Sequence, residues 1–391
     1  MLWNWQQPDW PDFTWKDVRL QKAEAQFLFG AGVIRGTVKQ LATDAQDVLA
    51  VEALSNEAVT TSEIEGEILN RESVQSSIRR QLGLASDRRH VPPAEQGISE
   101  MTVDLFRHYA KPLTERALFD WHRMMLSGRS DLTDVGRYRT HEAPMQVISG
   151  RVYAPTVHFE APPSKRVEGE MDRFIRWFNG TAPDGERPLP AVTRAGLAHL
   201  YFESIHPFED GNGRIGRAIA EKVLAQSLGQ PSLTAIATTV LVHRREYYDA
   251  LEAANKHNEV SDWLAWFAGI ALEAQQRTLA QVEFLIDKTR LLDRLRGALN
   301  ARQEAVLLRV LREGPQGFKG GLSAGNYATI AKASAATATR DLADMVERGV
   351  LTRTGEKRYA RYHPAITLRP VARISVDEKG EIVQTVRTTG Q

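Results

Sequence analysis

Residues 206–217 read His-Pro-Phe-Glu-Asp-Gly-Asn-Gly-Arg-Ile-Gly-Arg and lie between two apolar stretches of helical period. No other segment restricts the fold as tightly. Ahead of it, Ala195, Leu197, Ala198, Leu200, Tyr201, Phe202 and Ile205 recur at a spacing near 3.6, which predicts a buried helix. Pro207 biases His206 away from right-handed helical dihedrals, so that helix should stop about there. Beyond the glycines, Ile215, Ala218, Ile219, Val223 and Leu224 restart the period. The expected unit is helix, loop, helix, with the loop at the N-terminus of the second helix.

That position carries unpaired N–H groups and the positive end of the helix dipole, which suits phosphate. Gly211 and Gly213 let the main chain come close to a ligand. Arg214 and Arg217 offer planar forks for phosphate oxygens. Asp210 is a hard oxygen ligand for a Mg²⁺ that keeps its waters and bridges phosphates. His206 titrates near neutrality and can take a proton from an attacking hydroxyl. Each feature alone has an ordinary structural explanation: a histidine before proline, a Gly-Asn-Gly turn, two arginines on a solvated face. Together they supply positioning, charge neutralisation and one general base, the parts of a phosphoryl-type transfer.

On these residues the chain resembles the Fic family, whose signature His-Pro-Phe-x-Asp/Glu-Gly-Asn-Gly-Arg-x-x-Arg is matched at every fixed position. The resemblance runs over roughly residues 100–270 and includes Leu118, Phe119, Asp120, Trp121 and His122. It implies transfer of AMP from ATP to a Ser, Thr or Tyr hydroxyl of a target protein not identifiable from the sequence. A phosphorylating relative, the Doc type, replaces the second glycine of the motif by lysine, whereas Gly213 is retained here. The resemblance assigns His206 as the base and Asp210 as the Mg²⁺ carrier. It assigns Gly211, Asn212, Gly213 and Arg214 to the anion cradle, and Arg217 to the terminal phosphate. Phe208 is expected to fill core space under the loop.

Two further segments fit that resemblance. Tyr247, Tyr248 and Asn255 resemble the family's adenosine-binding helix. An aromatic ring can cover a purine face and an asparagine can bond a sugar or base edge; the alternative is that one tyrosine packs in the core. Residues 145–163 contain Val147, Ile148, Ser149 and Gly150, then Val152, Tyr153, Ala154 and Pro155, and read as a hairpin. In the family this flap pairs with the target by strand addition. Tyr153 and His158 are given no role.

Residues 61–66, Thr-Ser-Glu-Ile-Glu-Gly, resemble the family's inhibitory motif Ser/Thr-x-x-x-Glu-Gly/Asn through Thr61, Glu65 and Gly66. Val48, Val51, Leu54, Ala58 and Val59 mark a helix ahead of it, which Gly66 can end or bend. Glu65 is then expected to point at Arg217 and neutralise it. At about 4 Å and an effective dielectric near 20, one such pair is worth about 4 kcal/mol before desolvation. The ordinary alternative is a solvated glutamate among Glu63, Glu65 and Glu67.

The expected architecture is mainly α: a Fic-type helical bundle with a β-hairpin flap, followed by a small winged helix-turn-helix domain. The expected domains are 1–95, an N-terminal helical region with the inhibitory motif; 96–298, the catalytic domain; and 299–391, the winged helix. Trp3, Trp5, Trp10 and Trp15 form a tail suited to core packing, with docking or a homodimer contact as the alternative. Leu20, Ala23, Phe27, Leu28 and Val33 are placed on one helix side, and residues 241–256 in one helix. In the C-terminal part, Thr337, Thr339 and Arg340 open a third short helix, and Lys357, Arg358 and Arg361 lie on the wing. These could meet DNA, against which Asp341, Asp344 and Glu347 weigh. Ile374, Val376, Ile382 and Val386 read as a hairpin closing that last domain.

The formal net charge of +1 gives no electrostatic argument for nucleic acid or membrane as a whole-chain partner. The absence of cysteine excludes disulfides and thiolate chemistry, and suits a cytoplasmic location. No apolar run is long enough to span a bilayer, and residues 1–8 do not read as a signal peptide. Two other functions share the same residues: an ATP-sensing DNA-binding regulator, and removal of AMP from a modified protein with Glu65 orienting water.

Overall fold

The computed structural model describes residues 2–85, 89–151, 154–314, 318, 320–366 and 369–385. Eleven α-helices precede residue 300 among the described residues: α1 Gln21–Lys39, α2 Thr43–Ile64, α3 Arg71–Gln81, α4 Pro93–His108, α5 Glu115–Met125, α6 Ser164–Gly180, α7 Ala191–Ile205, α8 Asn212–Leu228, α9 Ile236–Val242, α10 Arg244–Ala254 and α11 Ser261–Arg294. Between α5 and α6 lies the antiparallel hairpin β1 Gln146–Arg151 and β2 Ala154–Glu160.

The chain forms two compact units. The first takes the described residues up to Gly36, Gln46–Thr278, and the segment from Ala372 onward. Its axis is α7, in which every residue from Ala191 to Ile205 is buried. Its apolar residues run around the whole circumference, which leaves it only the interior, and Arg194, His199 and Glu203 are buried with them. Each large side chain fully removed from water there, such as Leu200 or Phe202, contributes about 1.5–3 kcal/mol. Gly196 gives α11 room to approach: a Cβ at that position would overlap Leu264 and press on Phe267, and Trp263 Nε1 donates to the Gly196 carbonyl at 2.8 Å. The tryptophan tail packs on this unit. Trp5 and Trp10 are buried, Trp5 Nε1 donates to the Glu160 carbonyl (2.7 Å) and Trp10 Nε1 to Glu170 (3.0 Å).

The second unit contains α12 Ala301–Arg312, α13 Ala324–Ala331 and α14 Ala335–Glu347, then the hairpin β3 Leu351–Thr354 and β4 Arg361–Pro364. Asn300, Ser323 and Ser334 cap the three helices by accepting from main-chain N–H groups. Val306, Leu307, Val310, Tyr327, Leu342 and Met345 form its core.

Five expectations need correction. Residues 1–95 and 96–298 are not separate bodies, because the tail, α2 and α4 share one core with α7. The cut falls within α11, after Thr278, rather than near residue 298. The last hairpin, β5 Arg373–Val376 with β6 Ile382–Thr385, belongs to the first unit, since Ile374 and Val376 bury in that unit's core. Residues 241–256 form two helices, because His243 ends α9 and its Nε2 is held by Glu273 at 3.0 Å. Leu20, just before α1, and Ala23, Phe27 and Ala31 on it make the buried line, while Leu28 and Val33 stay 52% and 39% exposed. Leu28 sits a full residue's rotation, about 100°, off that line. Val152, Tyr153 and Val386 lie outside the described residues.

Candidate active site

His206 caps α7 in the left-handed conformation, φ 49° and ψ 60°. A side chain other than glycine resists that region, and such strain is held only where the surroundings impose it. Arg139 imposes it here. Fully buried, it donates from Nε to the His206 carbonyl at 2.8 Å, while its own N–H reaches the Pro207 carbonyl at 3.0 Å and Nη1 reaches Ser164 at 2.9 Å. Phe208 is buried beneath the loop and stacks on His122, with centroids 4.2 Å apart and planes 14° apart. His122 Nε2 donates to the Asp210 carbonyl (3.0 Å), and its Nδ1 accepts from Gly136 N–H (2.8 Å). The loop is thus fixed from both sides before α8 starts.

Gly211, with φ 86°, turns the chain into α8. A Cβ there would also overlap the Met125 side chain. The expectation that Asn212 lines an anion cradle is narrowed: its side-chain oxygen accepts from Phe208 N–H (2.9 Å) and its amide donates to the Phe208 carbonyl (2.8 Å). Only its main chain, at the first helical position, remains to offer. Asp210 accepts from Arg129 (3.0 Å) and from Arg214 (3.1 Å). Among the described residues no three His, Cys, Asp or Glu side chains gather to hold a metal. A Mg²⁺ that keeps its waters and rides on phosphates needs only one or two carboxylates, and the half-exposed Asp210 fits that requirement.

The arginines are the other half of the site. Arg214 donates from Nη1 to Glu67 at 2.8 Å. Arg217 is clasped by the end of α2: Nε donates to Thr61 Oγ1 (2.8 Å), and Nη2 donates to the Thr61 carbonyl (2.9 Å) and to Glu65 Oε1 (2.7 Å). The contact expected between Glu65 and Arg217 is present. Glu65 follows the last residue of α2, and Gly66 turns the chain away at φ 86°. Arg214 Nε and Arg217 Nη1 are buried without a hydrogen-bond partner. Gly213 is the floor beneath this pair, since a Cβ there would overlap Glu65 Oε1 and sit 3.2 Å from Arg217 Nη1.

Burial first, then the Arg139 charge, hold His206 at about 4, so the imidazole is neutral at pH 7. Its Nδ1 lies 3.7 Å from Glu203 Oε2. Burial, and next the charge of Glu65, push Glu203 up to about 8. His199 is buried, bonds the Tyr247 hydroxyl at 2.9 Å, and is held down to about 4 mainly by burial.

The adenosine-helix residues separate. Tyr247 is 2% exposed and serves the core, so it has no face left for a purine. Tyr248 is 38% exposed, and its hydroxyl donates to the Ile64 carbonyl at 3.3 Å. Asn255 is committed: its side-chain oxygen accepts from Ser204 (3.1 Å) and its carbonyl from Asn4 N–H (2.7 Å). Val147, Ile148, Ser149 and Gly150 lie on the exposed strand β1, with a register break between Val147 and Ile148. His158 links Ser149 (2.6 Å) to Glu252 on α10 (2.7 Å). Sequence reasoning missed Arg139, Arg129 and Glu203. Arg139 and Arg129 carry no spacing signal; Glu203 had one, as the single acid of a largely apolar helix.

A family model described as the Fic/DOC family matches residues 112–224, and a model described as a domain of unknown function, DUF4172, matches residues 3–84. The chain is 29% identical over 138 residues to the protein adenylyltransferase fic-1 of Caenorhabditis elegans, covering 35% of this chain and 23% of that protein. It is 26% identical over 159 residues to the protein adenylyltransferase Fic of Nematostella vectensis, covering 41% of this chain and 32% of that protein. The chain thus spans less than a third of the length of these curated relatives. The crystal structure of a Fic family protein from Desulfovibrio desulfuricans G20 is similar in fold, with a TM-score of 0.50 at 19% identity over 88% of this chain and 95% of that one.

Proposed function

We propose, on the premise that this chain is a Fic domain protein, that it is a protein adenylyltransferase braked by its own Glu65. The observation that carries this reading is the pair of buried guanidinium groups with unpartnered N–H donors, one of them clasped by Glu65, beside a neutral histidine at the mouth of a helix N-terminus. Unsatisfied buried donors are costly, and an anion of phosphate type would satisfy them.

The target hydroxyl attacks the α-phosphorus of ATP, His206 accepts the hydroxyl proton, and pyrophosphate leaves. Arg214 and Arg217 hold the phosphate tail, and the α8 N–H groups neutralise charge at the reacting phosphate. Asp210 would hold a Mg²⁺, which would spread the charge of the leaving group. Tyr248 is the ring available to adenine, and the β1 edge is the surface available to a target strand. Glu65, occupying Arg217, keeps the terminal phosphate from its fork.

Incubation with ATP labelled at the α- or γ-phosphate tests this. The Glu65→Gly chain should take up α-label at least about tenfold faster than wild type, a difference of about 1.4 kcal/mol, and should take up no γ-label. Adding His206→Ala should lower that uptake by about 10²–10⁴. Absence of label from both nucleotides would replace the transferase with an ATP sensor.

We further propose that the second unit is a winged helix able to contact DNA. Two of the three acids of α14 are turned to internal use, while Glu347 stays exposed: Asp341 accepts from Tyr327 (2.9 Å) and Arg302 (3.1 Å), and Asp344 from Arg348 (2.8 Å) and Gln303 (2.7 Å). Thr339, Arg340, Lys357 and Arg358 are left exposed.

A further inference from the structure

We propose that Glu203 is a positioning residue that couples the Glu65–Arg217 pair to the His206 imidazole. The inference deepens the adenylyltransferase reading and rests on it. One face of α8 presents Gly213, Gly216 and Arg217, spaced three and four residues apart. Gly213 makes room for the Glu65 carboxylate, and Gly216 makes room for Glu203 Oε1, which a Cβ would overlap. Glu203 Oε1 and Arg217 Nη1 are both buried without a partner. On its other side, Glu203 Oε2 lies 3.7 Å from His206 Nδ1, one turn further along α7. The carboxyl therefore stands between the arginine held by Glu65 and the ring that would take the proton.

The groups facing Glu203 define what it does. They are Glu65 after α2, His199 and His206 of α7 and its end, Arg217 of α8 and Tyr247 of α10. His206 in turn feels Arg139, Glu65 and Asp210. With Glu65 in place, burial and the neighbouring negative charge keep Glu203 protonated at neutral pH, while Arg217 pulls the other way. A neutral carboxyl gives the imidazole no ionic support, and His206 stays a weak base. When Glu65 withdraws, the like charge is gone and Arg217 has lost its anion. Glu203 then releases its proton to solvent, and its anion beside Nδ1 makes the opposite ring nitrogen more basic. A stronger base lowers the barrier to taking the hydroxyl proton. Glu65 thus acts on the base as well as on the phosphate fork.

The test is a pH titration of the ¹³C-labelled histidine ring signals in the full-length chain, without nucleotide. The His206 signal is assigned by its loss in His206→Gln. In a chain retaining Glu203, Glu65→Gln should move the His206 titration upward by about one pH unit, a tenfold gain in proton affinity. In the Glu203→Gln chain the same change should move it downward, because only the loss of the direct attraction from Glu65 remains. Equal movement in both chains overturns the coupling. If Glu203→Gln does not fold, Glu203→Asp draws the carboxylate back from Nδ1 and should shrink the upward movement; an undiminished movement overturns the proposal. Adenylyl transfer fails separately. Absence of α-label from the Glu65→Gly chain rejects the transferase and leaves the titration readable. Label uptake with the same pH profile in Glu65→Gly and Glu65→Gly/Glu203→Gln rejects the role of Glu203 alone.

Discussion

At the scale of single residues, the glycines of the motif do different work. Gly211 is needed for its left-handed φ, whereas Gly213 is needed for the volume it leaves to Glu65. The second requirement makes a signed prediction for Gly213→Ala. Helix propensity alone would stabilise α8 by about 0.5–1 kcal/mol. The overlap with Glu65 Oε1 opposes this, and displacing the carboxylate from Arg217 should turn the net change into a loss of about 1–3 kcal/mol. Thermal melts of Gly213→Ala in the wild-type and Glu65→Gly chains decide between them. The substitution should destabilise the first chain and not the second. The residue scale is also where the sequence reading was least complete. Tyr247, Asn212 and Asn255 have suitable chemistry, but their side chains are committed to the core, to Phe208 and to Ser204.

At the scale of elements, α7 and α8 were legible because a 3.6 period and a proline are local facts. The end of α7 at Ile205 and the start of α8 at Asn212 follow from Pro207 and the glycines. The break at His243 was not legible, since it depends on Glu273 arriving from α11. The N-terminal tail shows the same dependence: Asn4 donates to Ser204 across 200 positions at 2.8 Å, tying the tail to the last turn of α7. The prediction at this scale concerns α14 and the β3–β4 hairpin. Affinity of the full chain for duplex DNA should fall steeply as salt rises, and Arg358→Ala should weaken it and reduce the salt slope by about one. Affinity independent of salt would remove phosphate contacts from the account.

For the whole molecule, buried titratable groups make stability depend on pH in two opposed ways. His199 and His206, held at about 4, lie below their unfolded values near 6.5. Their contribution is present above pH 6.5 and is lost as pH falls through 4, because the unfolded chain then binds more protons. Glu203, raised to about 8, and Glu57, raised to about 7, lie above their unfolded values near 4.5. Their contribution is complete below pH 4.5 and is lost as pH rises through 7 to 8. Replacing Glu203 by an uncharged isostere removes one of these alkaline losses. The Tm of Glu203→Gln, measured against wild type from pH 5 to 9, should therefore rise relative to wild type with pH. The change is on the order of a few kcal/mol across that range. A difference that stays constant with pH would show that burial does not raise the Glu203 carboxyl above its unfolded value.

Taken by itself, the sequence determined the helical periods, the turn at residues 206–217 and the kind of chemistry those side chains can do. These depend on dihedral preferences and spacing within a few turns of chain. The tertiary structure decided which groups are used up and which remain free. Glu65 meets Arg217 over an interval of 152 positions, Arg139 holds His206 in its strained conformation, and Glu203 lies between base and arginine. Burial and pairing are properties of surfaces brought together by packing, and no local pattern in the chain carries them.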